Sequence, residues 1–236
     1  MKTFALAASL AITALVGTSF AEDLPSAANL VKKHLEASGG KAAMMKVKTR
    51  IDKGKLTLTE MGMEATYVSY NQAPNSLNIS DFAGMGIVKN GTTDGVAWAI
   101  NPFQGNTKTA NARPDEIFPF VNLDLVAGSA KTLGEEDLEG KIAYEVEFQV
   151  PVIGALVVFF DKESGLVAAS ESKNDDGTVT RSSFSDYKKV GDIQIPHTIK
   201  QTGGPLALVI TSESIELDAE IPAGTFDLPE EIKALP

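Results

Sequence analysis

The chain has 236 residues, 21 of them basic and 31 acidic, giving a net charge of −10 at pH 7. An acid excess of that size repels phosphate backbones and argues against nucleic acid as a partner. With no cysteine anywhere, the fold must rest on an apolar core and not on disulfides, and a chain of this length can bury one.

Met1-Lys2 is followed by an apolar run from Phe4 to Val16 and then by GTSFA, with small Ser19 and Ala21 at the −3 and −1 positions of a cleavage site. That is the pattern of a secretory signal peptide, residues 1–21, cut after Ala21. The run is too short to span a bilayer comfortably, and no later segment approaches spanning length. The mature chain, 22–236, is expected to be a single exported domain without a transmembrane segment. Losing Lys2, the only charged residue of the leader, leaves 20 basic against 31 acidic residues, a net charge of −11. An exported chain without cysteine suits a bacterial periplasm.

After Pro25-Ser26, the residues Ala27, Leu30, Val31, His34 and Leu35 recur at helical spacing, and Ser38-Gly39-Gly40 stops the helix. A short helical piece at 41–46 follows. From Val47 onward the pattern turns to strands. Val96, Trp98 and Ile100 alternate with Ala97 and Ala99, which places the only tryptophan on an inward face of a sheet. The cleanest period-two run is Ile142, Tyr144, Val146, Phe148 and Val150 against Ala143, Glu145, Glu147 and Gln149, with the second set turned to solvent. Turn residues recur at Ala73-Pro74-Asn75, Glu139-Gly140, 161–165, 174–177, Gly191-Asp192 and Gly203-Gly204. Such spacing implies sequential hairpins, hence an antiparallel meander of about ten strands.

Residues 112–130 break the rhythm, being apolar without alternation. Pro114-Asp115-Glu116 reads as a helix start that Pro119 interrupts, and Ile117, Phe118, Phe120, Val121, Leu123, Leu125 and Val126 need an apolar surface to lie on. The segment is either a crossover that plugs one end of a barrel or a lid over a cavity. A sheet of about ten strands curls, and its interior is wider than side chains alone fill. The fold class is therefore mainly β with short α: one curved antiparallel sheet forming an unclosed barrel, with helices over its concave face. A fully packed sandwich is the alternative. In the curved form, a pocket lined by Trp98, Ile100, Ile142, Tyr144 and Phe148 is expected, closed by Phe118, Phe120, Leu123 and Leu125.

Catalytic parts are scarce. The chain has no G-x-S-x-G, H-E-x-x-H or P-loop. His34 and His197, both in phase with apolar residues, read as packing residues, a two-histidine metal site being the lesser alternative because no carboxylate pattern accompanies them. Asp161 with Glu163 and Asp175 with Asp176 belong to turns, where aspartate stabilises the backbone locally, and neither has the spacing of a calcium loop. No metal or cofactor is called for.

Five stretches in order, LEASGGKAAMMKVKTRIDKGKL, DGVAW, YEVEF with VVFFDKESGLV, FSDYKKVGDIQIPHTI and IPAGTFDLP, resemble the Lol-type superfamily of periplasmic outer-membrane lipoprotein carriers and receptors. The resemblance covers nearly the whole mature chain. It implies an unclosed antiparallel barrel with a helical lid and an apolar cavity for acyl chains, so that the partners would be lipid acyl chains or a lipoprotein. The competing expectation is a non-enzymatic envelope assembly protein that binds a protein partner through its sheet edges.

Overall fold

A computed structural model describes residues 24–112, 115–151, 154–173, 177–204 and 206–235. The expected signal peptide lies outside the described residues, as do Pro114 and most of the turn at 174–177. The first helix, α1 (Ala27–Ala37), starts where the Ser26 hydroxyl accepts from the Asn29 backbone N–H at 3.3 Å. It buries Ala27, Leu30, Val31 and His34. Gly39, at φ +106°, ends it, and a Cβ there would stand 2.1 Å from the Asp192 carbonyl oxygen. Glycine therefore both stops the helix and lets it dock on the sheet. A four-residue helix, α2 (Lys41–Met44), follows.

The strands are β1 (Arg50–Leu58), β2 (Met63–Gln72), β3 (Asn75–Phe82), β4 (Gly86–Thr93), β5 (Val96–Ile100), β6 (Thr107–Thr109), β7 (Lys131–Leu138), β8 (Lys141–Val150), β9 (Gly154–Asp161), β10 (Val167–Lys173), β11 (Val179–Val190), β12 (Ile193–Thr202) and β13 (Leu208–Leu217). They form one antiparallel sheet in the order β6-β5-β4-β3-β2-β1-β13-β12-β11-β10-β9-β8-β7. Among the described strands only the β1–β13 pairing joins strands distant in sequence. β6 and β7 remain edges, so the curved sheet does not close into a barrel. The architecture is as expected, but thirteen strands replace about ten. The extra ones lack a sequence signal: β6 has three residues, and β7, KTLGEEDL, carries glycine and acids on a half-exposed edge.

Between β6 and β7 the chain crosses the inner face of the sheet. Among the described residues no α-helix forms there. The described residues make turns and two short 3-10 pieces, Leu123–Leu125 and Ala127–Ser129. Pro119 denies this stretch a backbone donor, and the apolar side chains lie at irregular spacing. A third helix, α3 (Glu230–Lys233), ends the chain.

Candidate ligand cavity on the inner face

Cross-strand partners share a face of a sheet, so the register assigns each expected site residue to a side. Arg50 pairs with Asn71, Asn71 with Ser76, Ser76 with Thr92, and Thr92 with Ala97. Arg50 lies 5.9 Å from the centroid of the Phe118 ring, so this row faces the crossing segment. Trp98 belongs to the other row, through Gly91, Leu77, Tyr70 and Ile51. It is 4% exposed, packs on Leu77 and the fully buried Ile232 of α3, and donates from Nε1 to the Thr93 hydroxyl at 3.0 Å. Ile100 joins the same cluster.

Trp98 and Ile100 are thus inward-facing only in the sense of being covered. They lie on the face opposite the crossing segment, under the C-terminal residues Phe226, Leu228 and Leu235. Alternation fixes which residues share a face; a segment 130 residues away decides what covers it. Trp98 emission is accordingly expected to be blue-shifted, unchanged by an added acyl ligand, and red-shifted in Ile232→Asp. A ligand-dependent Trp98 signal in the unmodified protein would contradict this placement.

Under α1 and the crossing segment the inner face carries two apolar clusters; a third, Leu56, Leu58, Ala65 and Phe82, lies on the same face further along β1 to β3. In the first, Leu30, Val31 and Leu123 pack on Val146, Phe148, Val158 and Phe160, with Tyr144, Phe120 and Phe184 partly buried around them. In the second, Phe118 and Val121 pack on Met44, Ile193 and Ile195. Phe120, Leu123, Tyr144 and Phe148 are therefore brought together, and Phe118 lies in the adjoining cluster. Leu125 is 75% exposed and Ile142 40% exposed, so neither lines the interior. Leu125 projects from the outer side of a 3-10 turn, and Ile142 sits beside the turn of the β7–β8 hairpin, paired with Asp137. The face of β8 expected to be fully solvated also carries a small apolar spot, Ala143 with Phe159 and Ala169. The Arg181 guanidinium covers it, 4.7 Å from the Phe159 ring centroid.

Between the crossing segment and β11–β12 lies a cavity of about 110 Å³ whose lining includes His34, Phe118, Phe120, Phe184, Tyr187 and Ile199, with Arg50 at its margin. The Phe120 ring meets Phe184 edge-on at 5.4 Å and His34 at 6.3 Å. His34 also stands 5.8 Å from Phe160, and its Nδ1 is 3.4 Å from the Ser38 hydroxyl. Burial lowers the His34 pKa to about 4, partly offset by the Gly165 carbonyl, which favours the charged form. Tyr187 donates to the Val167 carbonyl at 2.7 Å, and burial holds its phenol well above the ordinary range. On the outer side, a groove of about 300 Å³ runs between α1 and the 3-10 turns, where Lys41 reaches Asp124 at 2.6 and 2.9 Å.

Arg50 escaped the sequence reading. Its Nε and Nη2 donate to the two Asp52 oxygens at 2.8 and 2.6 Å, a bidentate pair that an R-x-D stretch permits only in an extended strand. Among the described residues no group of three or more His, Cys, Asp or Glu side chains is placed to hold a metal ion.

No protein-family model matches the chain, and no curated protein matches it. Solved structures do. A domain classed with the outer membrane lipoprotein-sorting proteins, from Vibrio parahaemolyticus, is 13% identical with a TM-score of 0.56, over 84% of this chain and 97% of that one. A DUF1329 family protein from Desulfovibrio piger is 11% identical with a TM-score of 0.58, over 85% and 95%. A LolA superfamily protein from Nitrosomonas europaea is 12% identical with a TM-score of 0.54, over 86% and 98%. The fold is that of the Lol-type superfamily, as the sequence resemblance implied.

Proposed function

We propose that this chain is a non-enzymatic, exported carrier that holds the acyl chain of a lipid or lipoprotein on the inner face, beneath residues 115–130. The observation that carries this reading is the aromatic-lined cavity between the crossing segment and β11–β12, whose Phe120 and Phe184 pack against the apolar cluster of Phe148 and Phe160. Neighbours in the lipoprotein-sorting and LolA families share the architecture and favour a periplasmic setting. At about 110 Å³ the cavity is smaller than ligand pockets, which run to roughly 300 Å³ or more. In this reading the cavity is closed at rest, and an acyl chain enters when Phe118 to Val121 moves outward. Each methylene then buried contributes about 0.8 kcal/mol. A protein partner added along a sheet edge has less support, since β6 is three residues long and β7 carries Lys131, Glu135, Glu136 and Asp137.

Phe120→Glu tests the reading. Phe120 is half-buried at the cavity, so a carboxylate there is expected to weaken binding of the apolar dye N-phenylnaphthylamine at least tenfold. The cost to global stability should be modest, about 1–2 kcal/mol. Unchanged dye affinity would count against the cavity as the binding site. Failure of the unmodified protein to bind the dye would end the carrier reading.

A further inference from the structure

The inner face is not apolar throughout. Across β1 to β4 one row of side chains is Asp52, Ser69, Asn78 and Asn90, and the next is Arg50, Asn71, Ser76 and Thr92. Tyr67 and Ser80 pair one row further along. Neither four-residue row has an aliphatic side chain, and the wall begins at Arg50, which borders the cavity. Several groups are satisfied internally: Tyr67 donates to Asn78 Oδ1 at 2.9 Å, Asn71 Nδ2 to the Ser69 hydroxyl at 2.9 Å, and the Ser76 hydroxyl to Asp115. Asp52, Ser69, Ser76 and Thr92 are themselves buried, whereas Asn71 and Asn78 are half-buried and Asn90 is exposed, so the accessible hydrogen-bonding capacity of the wall is that of its amides.

A hydrocarbon laid on this wall would strip water from the accessible amides without replacing their hydrogen bonds. A ligand that covers it must therefore bring hydrogen-bonding groups of its own. Charge narrows the class. The described ionic groups on the wall are Arg50 and Asp52, paired with each other, and Asp115, held by Ser76. That balance is one negative charge, which disfavours phosphate or carboxylate headgroups. Both carboxylates already have partners, which removes a specific site for an amine.

We infer that the inner face binds an amphiphile in a fixed orientation, with its chain under the crossing segment and an uncharged, hydroxyl- or amide-bearing headgroup on the β1–β4 wall. This rests on the carrier reading and goes beyond it, since an acyl carrier with no headgroup site would accept any twelve-carbon chain alike.

The test is displacement of N-phenylnaphthylamine from the full mature protein at pH 7.5 by monolaurin, laurate and dodecylamine, each below its critical micelle concentration. Monolaurin should displace the dye at concentrations at least tenfold lower than either charged compound. Asn78→Leu and, in case that variant folds poorly, Asn90→Leu at the exposed position should each shrink the preference to about twofold or less while leaving laurate unchanged. Equal displacement by all three compounds would overturn the headgroup site and leave the carrier reading standing. A preference that survives both substitutions, or one that favours laurate or dodecylamine, would also overturn it. If the dye does not bind at all, both readings fall together.

Discussion

Truncating Phe148 to alanine is expected to destabilise the protein by about 3–5 kcal/mol, read as a lowered midpoint in a denaturant melt with an unchanged slope. Phe148 is 0% exposed and meets the Phe160 ring at 6.4 Å, within a cluster that also holds Val146, Val158 and Leu30. Removing it leaves a void that α1 cannot fill, because Gly39 packs against Asp192 and the Gln194 N–H donates to the Ser38 carbonyl at 3.0 Å, fixing the helix end on β12. If Phe148 instead lined open space in the resting protein, the same change would cost little. A loss below about 1.5 kcal/mol would show that this part of the inner face is ligand space and not core.

The second large effect is acid sensitivity through His34. Its pKa is about 4 in the folded protein against 6.5 for the free side chain, because burial among Phe120, Phe160 and Ser38 penalises the imidazolium. Above about pH 6.5 both folded and unfolded chains carry a neutral ring, and the contribution is fully present. As pH falls from there towards 4, only the unfolded chain takes up the proton, so stability drops by about 3 kcal/mol across that window. Denaturant melts from pH 7.5 to 4 of the parent and of His34→Gln check this. The parent should lose about 3 kcal/mol more than the variant, and parallel curves would show that His34 titrates normally.

How much of this was readable beforehand differs from element to element. The helix from Ala27 and its stop at Gly39 follow from periodicity and from glycine, and both hold. The alternation Tyr144, Val146, Phe148 marks the inner face of β8 correctly, because both neighbours of that strand are adjacent in sequence and one side is covered by α1. Trp98 shows the limit of the same signal. Its strand alternates as cleanly, yet the cover is α3, and nothing in VAWAI encodes which face a distant C-terminal residue such as Ile232 will meet. The pocket imagined around Trp98 and Phe148 together therefore does not exist as one site. Arg50 and the polar rows of β1 to β4 were missed for a related reason. Singly, Ser69, Asn78 and Thr92 read as solvent-facing strand residues, and only the register aligns them into a wall on the covered side.

The central claim is that an acyl chain lies on the inner face beneath the crossing segment. It is tested most directly by photolabelling the mature protein with a diazirine-bearing long-chain fatty acid, followed by mapping of the labelled peptides. Saturable labelling of Phe118 to Val121 and of the β11–β12 stretch from Phe184 to Ile199, competed by unlabelled fatty acid and lost in Phe120→Glu, is the predicted result. Labelling that does not saturate, or that falls on the Trp98 and Ile232 face, would contradict it.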